Sequence, residues 1–131
     1  MIVVDASVYL VALTDDDVAG KAARARLMRD PHWAAPEHLF TEVFHAVRGR
    51  LLGRKITQQR ADSAVAALAD TAVETIEVKR LLPRMWELRE NVSGYDAAYI
   101  AAAEAFACPL VTGDARLSRC GAARCEIEVI G

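Results

Sequence analysis

Short apolar runs and amphipathic stretches alternate along the chain. Ile2, Val3 and Val4 form an apolar, β-branched run that stops at Asp5, the pattern of a strand buried on both faces. The spacing predicts a helix over 18–30, opened by the acids Asp15, Asp16 and Asp17 and closed by Pro31. Acids suit that start because they cap free amides and meet the positive end of the helix dipole. "HWAA" is a short strand candidate, and Pro36 then starts a helix to about Leu52, with Gly53 as its stop. Leu39, Val43, Phe44, Val47 and Leu51 give that helix an apolar stripe. Thr57 is the predicted N-cap of a helix over 58–69, and "AVETIEV" (72–78) alternates as a strand does. A helix over 82–90 is broken by "NVSG", and an Ala-rich helix follows over 95–107. The strand "LVT" (110–112), a short helix over 115–119 and the strand "EIEVI" (126–130) complete the order. Strands that alternate with helices pair in parallel through right-handed crossovers. The expected fold is α/β: one domain over 1–131, with a central, mostly parallel sheet of four or five strands between helices.

In such sheets, sites form outside the carboxyl ends of the strands, near the point where strand order switches. Asp5 ends the first strand and Asp114 follows "LVT" by two residues. Asp96 lies in the first turn of the Ala-rich helix, and Glu42 lies on the Leu39 and Val43 side of its own helix. Asp114 also suits an N-cap, and Asp96 a first-turn acid favoured by the dipole. Asp5 and Glu42 sit at no predicted helix start and border apolar stripes, so those readings fit them less well. Crowded carboxylates raise one another's pKa unless a cation neutralises them. Oxygen ligands without Cys or His suit Mg²⁺ or Mn²⁺, and a hard cation on carboxylates is the machinery of phosphodiester hydrolysis.

Composition sharpens this picture. The 131 residues are 53% apolar with a mean hydropathy of +0.14, as in globular domains. No apolar run approaches the roughly 18 residues of a membrane span, and Asp5 interrupts any leader-like start. A cytoplasmic protein without membrane contact is therefore expected. Cys108, Cys120 and Cys125 cluster late in the chain and read as free thiols filling small apolar spaces. A net charge of −2 argues against a nucleic-acid partner. Setting the four candidate acids aside from 18, however, leaves 14 against 16 basic residues. Arg48, Arg50, Arg54, Lys55 and Arg60 follow the Glu42 helix, and Arg116 and Arg119 follow Asp114; either group suits phosphate contacts or a solvated face. His38, Glu42 and His45 share a helical face, but the two histidines stand ~10.5 Å apart along the axis, too far for one ion. Ser7 stands where a haloacid-dehalogenase-like phospho-acceptor needs a second acid. Ala6 and "AVETIEV" lack the acids of a receiver domain, and no glycine-rich phosphate loop is present.

Four segments carry a more specific signal: "MIVVDASVYL", "PEHLFTEVFHAVR", "YDAAYIAAAEAFACPLVTGDARL" and the final "EIEVI". In order and spacing they resemble the PIN-domain ribonucleases, and within these the VapC toxins of bacterial toxin–antitoxin pairs. The most specific run joins "YDAAY" to "TGDARL". The resemblance implies catalytic acids at Asp5, Glu42, Asp96 and Asp114, with Asp5, Asp96 and Asp114 as ligands of Mg²⁺ or Mn²⁺. Ser7 and Thr112 match the family's small hydroxyl residues near the metal. It further implies an endoribonuclease acting on RNA needed for translation, tRNA or ribosomal RNA. A homodimer and a VapB-like antitoxin laid in the groove are implied too, with Met28, Trp33, Leu39, Phe40 and Phe44 as candidate groove residues, most of which core packing explains equally well. Two alternatives stand beside it: a PIN nuclease that processes RNA without an antitoxin, and a non-catalytic interaction module, which would not need all four acids.

Overall fold

The computed structural model describes residues 1–130. Its strands are β1 (Ile2–Val4), β2 (Trp33–Pro36), β3 (Glu74–Ile76), β4 (Leu110–Thr112) and β5 (Ile127–Val129). The helices are α1 (Ala6–Thr14), α2 (Val18–Met28), α3 (Leu39–Leu52), α4 (Gln58–Asp70), α5 (Val78–Glu87) and α6 (Gly94–Phe106), with a 3₁₀ turn at Ala115–Arg119. All neighbouring strands are parallel, in the order β3-β2-β1-β4-β5. No helix among the described residues is long and apolar enough to cross a membrane.

That order determines where a site can form. The chain walks outward from β1 through β2 to β3, then returns across the sheet to place β4 on the other side of β1. Right-handed crossovers put the helices of the outward walk and those of the return on opposite faces. Accordingly α1 packs on α2, α3 and α4, while α5 packs on α6, which crosses β1, β2 and β4. The switch in direction lies between β1 and β4, so their carboxyl ends open the crevice. Both strands are wholly buried, as is every residue of α6 from Ala97 to Ala103. Alanines let that helix lie close to the sheet.

Three expectations about elements need correction. The pattern predicts no helix where α1 lies, because "ASVYLVALT" is apolar nearly all round and shows no helical stripe; it is packed by three other helices. Pro36 closes β2, paired with Ile76, rather than opening α3. Helix α5 starts at Val78, four residues before the expected 82, and carries Pro83 in its interior; a proline near a helix start is the commoner arrangement.

A carboxylate cluster at the switch point

Asp5 extends β1 by one residue and N-caps α1, its extended backbone turning the chain into the helix. Its carboxylate is buried, 3% exposed. Oδ1 accepts hydrogen bonds from the Val8 amide at 3.1 Å and from Ser7 Oγ at 2.7 Å. Oδ2 accepts one from Thr112 Oγ1, at the end of β4. Each hydroxyl gives its single proton to Asp5 and takes a backbone N–H in return: Gly113 N donates to Ser7 Oγ at 2.9 Å, and Asp114 N to Thr112 Oγ1 at 3.0 Å. A Cβ on Gly113 would stand 3.3 Å from Ser7 Oγ, a tight fit. Three donors occupy three of about four carboxylate acceptor positions, leaving one free on Oδ2. Burial pushes the Asp5 pKa up against those hydrogen bonds, and the charge of Asp96 adds to the rise.

Asp96 occupies the first turn of α6, whose N-cap is Ser93. Burial again raises its pKa, and the charges of Asp114 and Glu42 raise it further, with only partial relief from Ser93 and the more distant Arg116. Glu42, in the first turn of α3, behaves oppositely. Burial works to raise its pKa, but His38 and the Tyr99 hydroxyl prevail and hold it low. Tyr99 Oη donates to Glu42 Oε1 at 2.9 Å, and His38 Nε2 lies 3.4 Å from the same oxygen. Asp114 caps the 3₁₀ turn through the Arg116 amide at 2.9 Å, and the Arg116 guanidinium clasps its carboxylate at 2.7 Å. That pairing holds Asp114 ionised below the usual carboxylate range. Among the described residues, no three acidic, imidazole or thiol groups converge closely enough to bind one cation as they stand.

A PIN-domain profile matches residues 2–123. The chain belongs to the PIN-domain family. Its full length is similar to ribonuclease VapC9 of Mycobacterium tuberculosis, 38% identical over 130 residues, covering 99% of this chain and 98% of that one. Ribonuclease VapC1 of the same organism is 37% identical over 131 residues, covering 96% and 98%. Within the PIN family the chain therefore groups with the VapC proteins. The crystal structure of M. tuberculosis VapC20, described as a sarcin–ricin loop cleaving toxin, shares the fold with a TM-score of 0.72 at 20% identity, covering 92% of this chain and 95% of that one.

The PIN fold thus brings the sequence-predicted acids to one edge of the sheet, with Ser7 and Thr112 bound to Asp5. One expectation fails. Asp5 and Glu42 do lie at helix starts, as N-cap and first-turn acid, because α1 was missed and α3 begins at Leu39. The apolar groove candidates differ in burial: Leu39 is core, Trp33 packs edge-on against Tyr9, Phe40 is partly buried, and Met28 and Phe44 are exposed. Two of the seven basic candidates are also engaged elsewhere, Arg50 by Thr14 and Asp15 and Arg60 by Asp16. Tyr99 is the residue that sequence reasoning passed over. Its signal was the spacing "YDAAY", which puts Tyr99 one turn beyond Asp96 on the same helical face.

Proposed function

We propose that this protein is a Mg²⁺- or Mn²⁺-dependent endoribonuclease, the toxin of a toxin–antitoxin pair, which hydrolyses phosphodiester bonds of tRNA or ribosomal RNA. The supporting observation is the set of buried, converging carboxylates at the switch point. Burial pushes Asp5 and Asp96 toward protonation, neighbouring carboxylates add to it, and Ser93 and Arg116 only partly offset the rise at Asp96. An all-oxygen donor set short of positive charge fits a hard divalent cation.

Asp5, Asp96 and Asp114 would hold the ion, Asp5 through its remaining free position on Oδ2 and Asp114 on release from Arg116. When bound, the ion neutralises the crowded acids, polarises the scissile phosphate and lowers the pKa of water at the site. The protein's own groups supply the rest. Ser7 and Thr112 fix the Asp5 carboxylate so that little reorganisation accompanies catalysis. Glu42, ionised and steadied by Tyr99, accepts a hydrogen bond from the attacking water and orients it. Arg116, freed from Asp114, is placed to meet a phosphate oxygen.

A cognate VapB-like antitoxin and a homodimer complete the reading, both supported by the kinship to VapC proteins. An antitoxin arginine would find a bidentate partner in these acids. RNA digestion by the purified protein tests the whole. EDTA should abolish cleavage, Mg²⁺ or Mn²⁺ should restore it, and Asp96→Asn should not cleave in either. EDTA-resistant cleavage by Asp96→Asn would end the metal-nuclease reading.

A further inference from the structure

Beside the acids lies a hollow of about 320 Å³ lined by His38, Thr41, Glu42, His45 and Tyr95, near the small end of ligand-pocket volumes. Four of those residues fall at positions 38, 41, 42 and 45 of one chain segment, so they form a single face of α3 and the turn before it. Tyr95, from the first turn of α6, closes the other side. It is 68% exposed, which leaves its ring open to a ligand. Behind it the His38 ring sits between two tyrosines, its centroid 5.8 Å from Tyr95 and 4.9 Å from Tyr99. This backing holds the Tyr95 ring without covering its outer face. The hollow adjoins the acid cluster, because Glu42 belongs to both.

We propose that this hollow receives one nucleobase of the RNA, unstacked from its neighbours and laid on the Tyr95 ring, beside the phosphate presented to the acids. Placing a base here rests on the ribonuclease reading. The occupant follows from the lining. An exposed aromatic face stacks any base, while Thr41 and His45 at the rim offer a hydroxyl and an imidazole to a base edge. The Glu42 carboxylate, held low by His38 and Tyr99 against its burial, disfavours an anionic occupant, so a neutral base and not a phosphate suits the hollow. His38 and His45, on the same face as Glu42, are thereby assigned to substrate selection rather than to a second metal. Tyr95 positions the scissile phosphate by anchoring its base, and His45 and Thr41 bias which base is accepted.

The test separates base binding from chemistry. Adenosine, guanosine, cytidine and uridine, with ribose as the base-free control, are titrated in EDTA against wild type, Tyr95→Ala and Tyr95→Phe, following the Tyr95 and His45 ring protons by NMR. At least one nucleoside should shift both sets of signals while ribose shifts neither. Tyr95→Phe should bind as wild type, and Tyr95→Ala should bind about 5- to 150-fold more weakly, the range of a lost stacking contact. Because Tyr95 is exposed, the melting temperature of Tyr95→Ala should match wild type, so weaker binding is not unfolding. Equal shifts from ribose, silence from all four nucleosides, or undiminished binding by Tyr95→Ala would each overturn the proposal. Failure of the ribonuclease reading looks different: nucleosides would still bind through Tyr95, but wild type with Mg²⁺ would leave RNA uncut.

Discussion

The two ends of α6 carry acids in opposite circumstances. Asp96 and Glu104 are eight residues apart in the chain, roughly 12 Å along the helix axis. At the amino end, the helix dipole favours a charged Asp96, yet its pKa is raised, because burial and the charges of Asp114 and Glu42 outweigh the Ser93 hydrogen bond and Arg116. At the carboxyl end the dipole disfavours an acid, yet Glu104 is held below its usual range. There Arg84 grips it with two hydrogen bonds, at 2.7 and 3.1 Å, and the Arg124 amide adds a third at 2.7 Å. Of these two acids of one helix, the one gripped by an arginine serves the fold, and the one left buried among other carboxylates is the candidate to serve a ligand.

The largest expected difference between the ends is in activity. Asp96→Asn should lower the rate of RNA cleavage by more than about 100-fold, beyond the usual effect of losing an outer-sphere group, whereas Glu104→Gln should cleave at nearly the wild-type rate well below its melting temperature. Comparable losses from both substitutions would erase the distinction.

Stability should show the reverse. Glu104→Gln leaves Arg84 without its bidentate partner, and the pair is only 17% and 13% exposed. A loss of roughly 2 kcal/mol follows, below the figure for a fully buried pair because water reaches this one. Chemical denaturation would register it as a lower midpoint with an unchanged slope. The same substitution has a signature in pH. A depressed folded-state pKa means that the Glu104 contribution is complete above the carboxyl's ordinary 4.5 and is lost as pH falls through the folded value. The stability gap between wild type and Glu104→Gln should therefore be constant near pH 7 and close in acid. A gap that widened in acid would contradict the pairing.

Metal gives the next smaller effect. Mg²⁺ at ten times its dissociation constant should stabilise wild type by about 1.4 kcal/mol and Asp96→Asn by much less, while in Glu104→Gln the increment should equal that of wild type. Smallest of all, Asp96→Asn in EDTA should melt at the wild-type temperature or up to a few degrees above it, because one of the repelling charges is gone. Asp5→Asn is a poorer probe. The amide replaces an acceptor of Val8, Ser7 and Thr112, so a lost cap and a lost ligand would be confounded.

Legibility in the sequence followed how local the cause was. The Ala-rich α6, the Thr57 cap and the apolar β1 and β4 each announce themselves within a few residues, and strand–helix alternation then leaves few topologies. Helix α1 did not, since burial on all sides removes the stripe by which a helix is read. The acids were legible as chemistry but not as geometry. Nothing near Asp5 in the chain shows that Thr112 would hold its carboxylate, or that Arg116 would cover Asp114. The Tyr99–Glu42 contact spans 57 positions and was invisible for the same reason.

The Asp5–Thr112 bond, closed across 107 positions, also sets a schedule. On the ribosome β1 is made early and meets β2 after two helices, α1 and α2, have followed it. Its other neighbour, β4, is translated only after four more helices, several seconds later at ~5–20 residues per second. Until then Asp5 lacks the Thr112 hydroxyl, and Asp114 does not yet exist. A partly made chain that stops short of β4 carries β1, β2 and β3 with Asp5, Glu42 and Asp96, so the acid cluster is completed only once the β4 segment and Asp114 have been added.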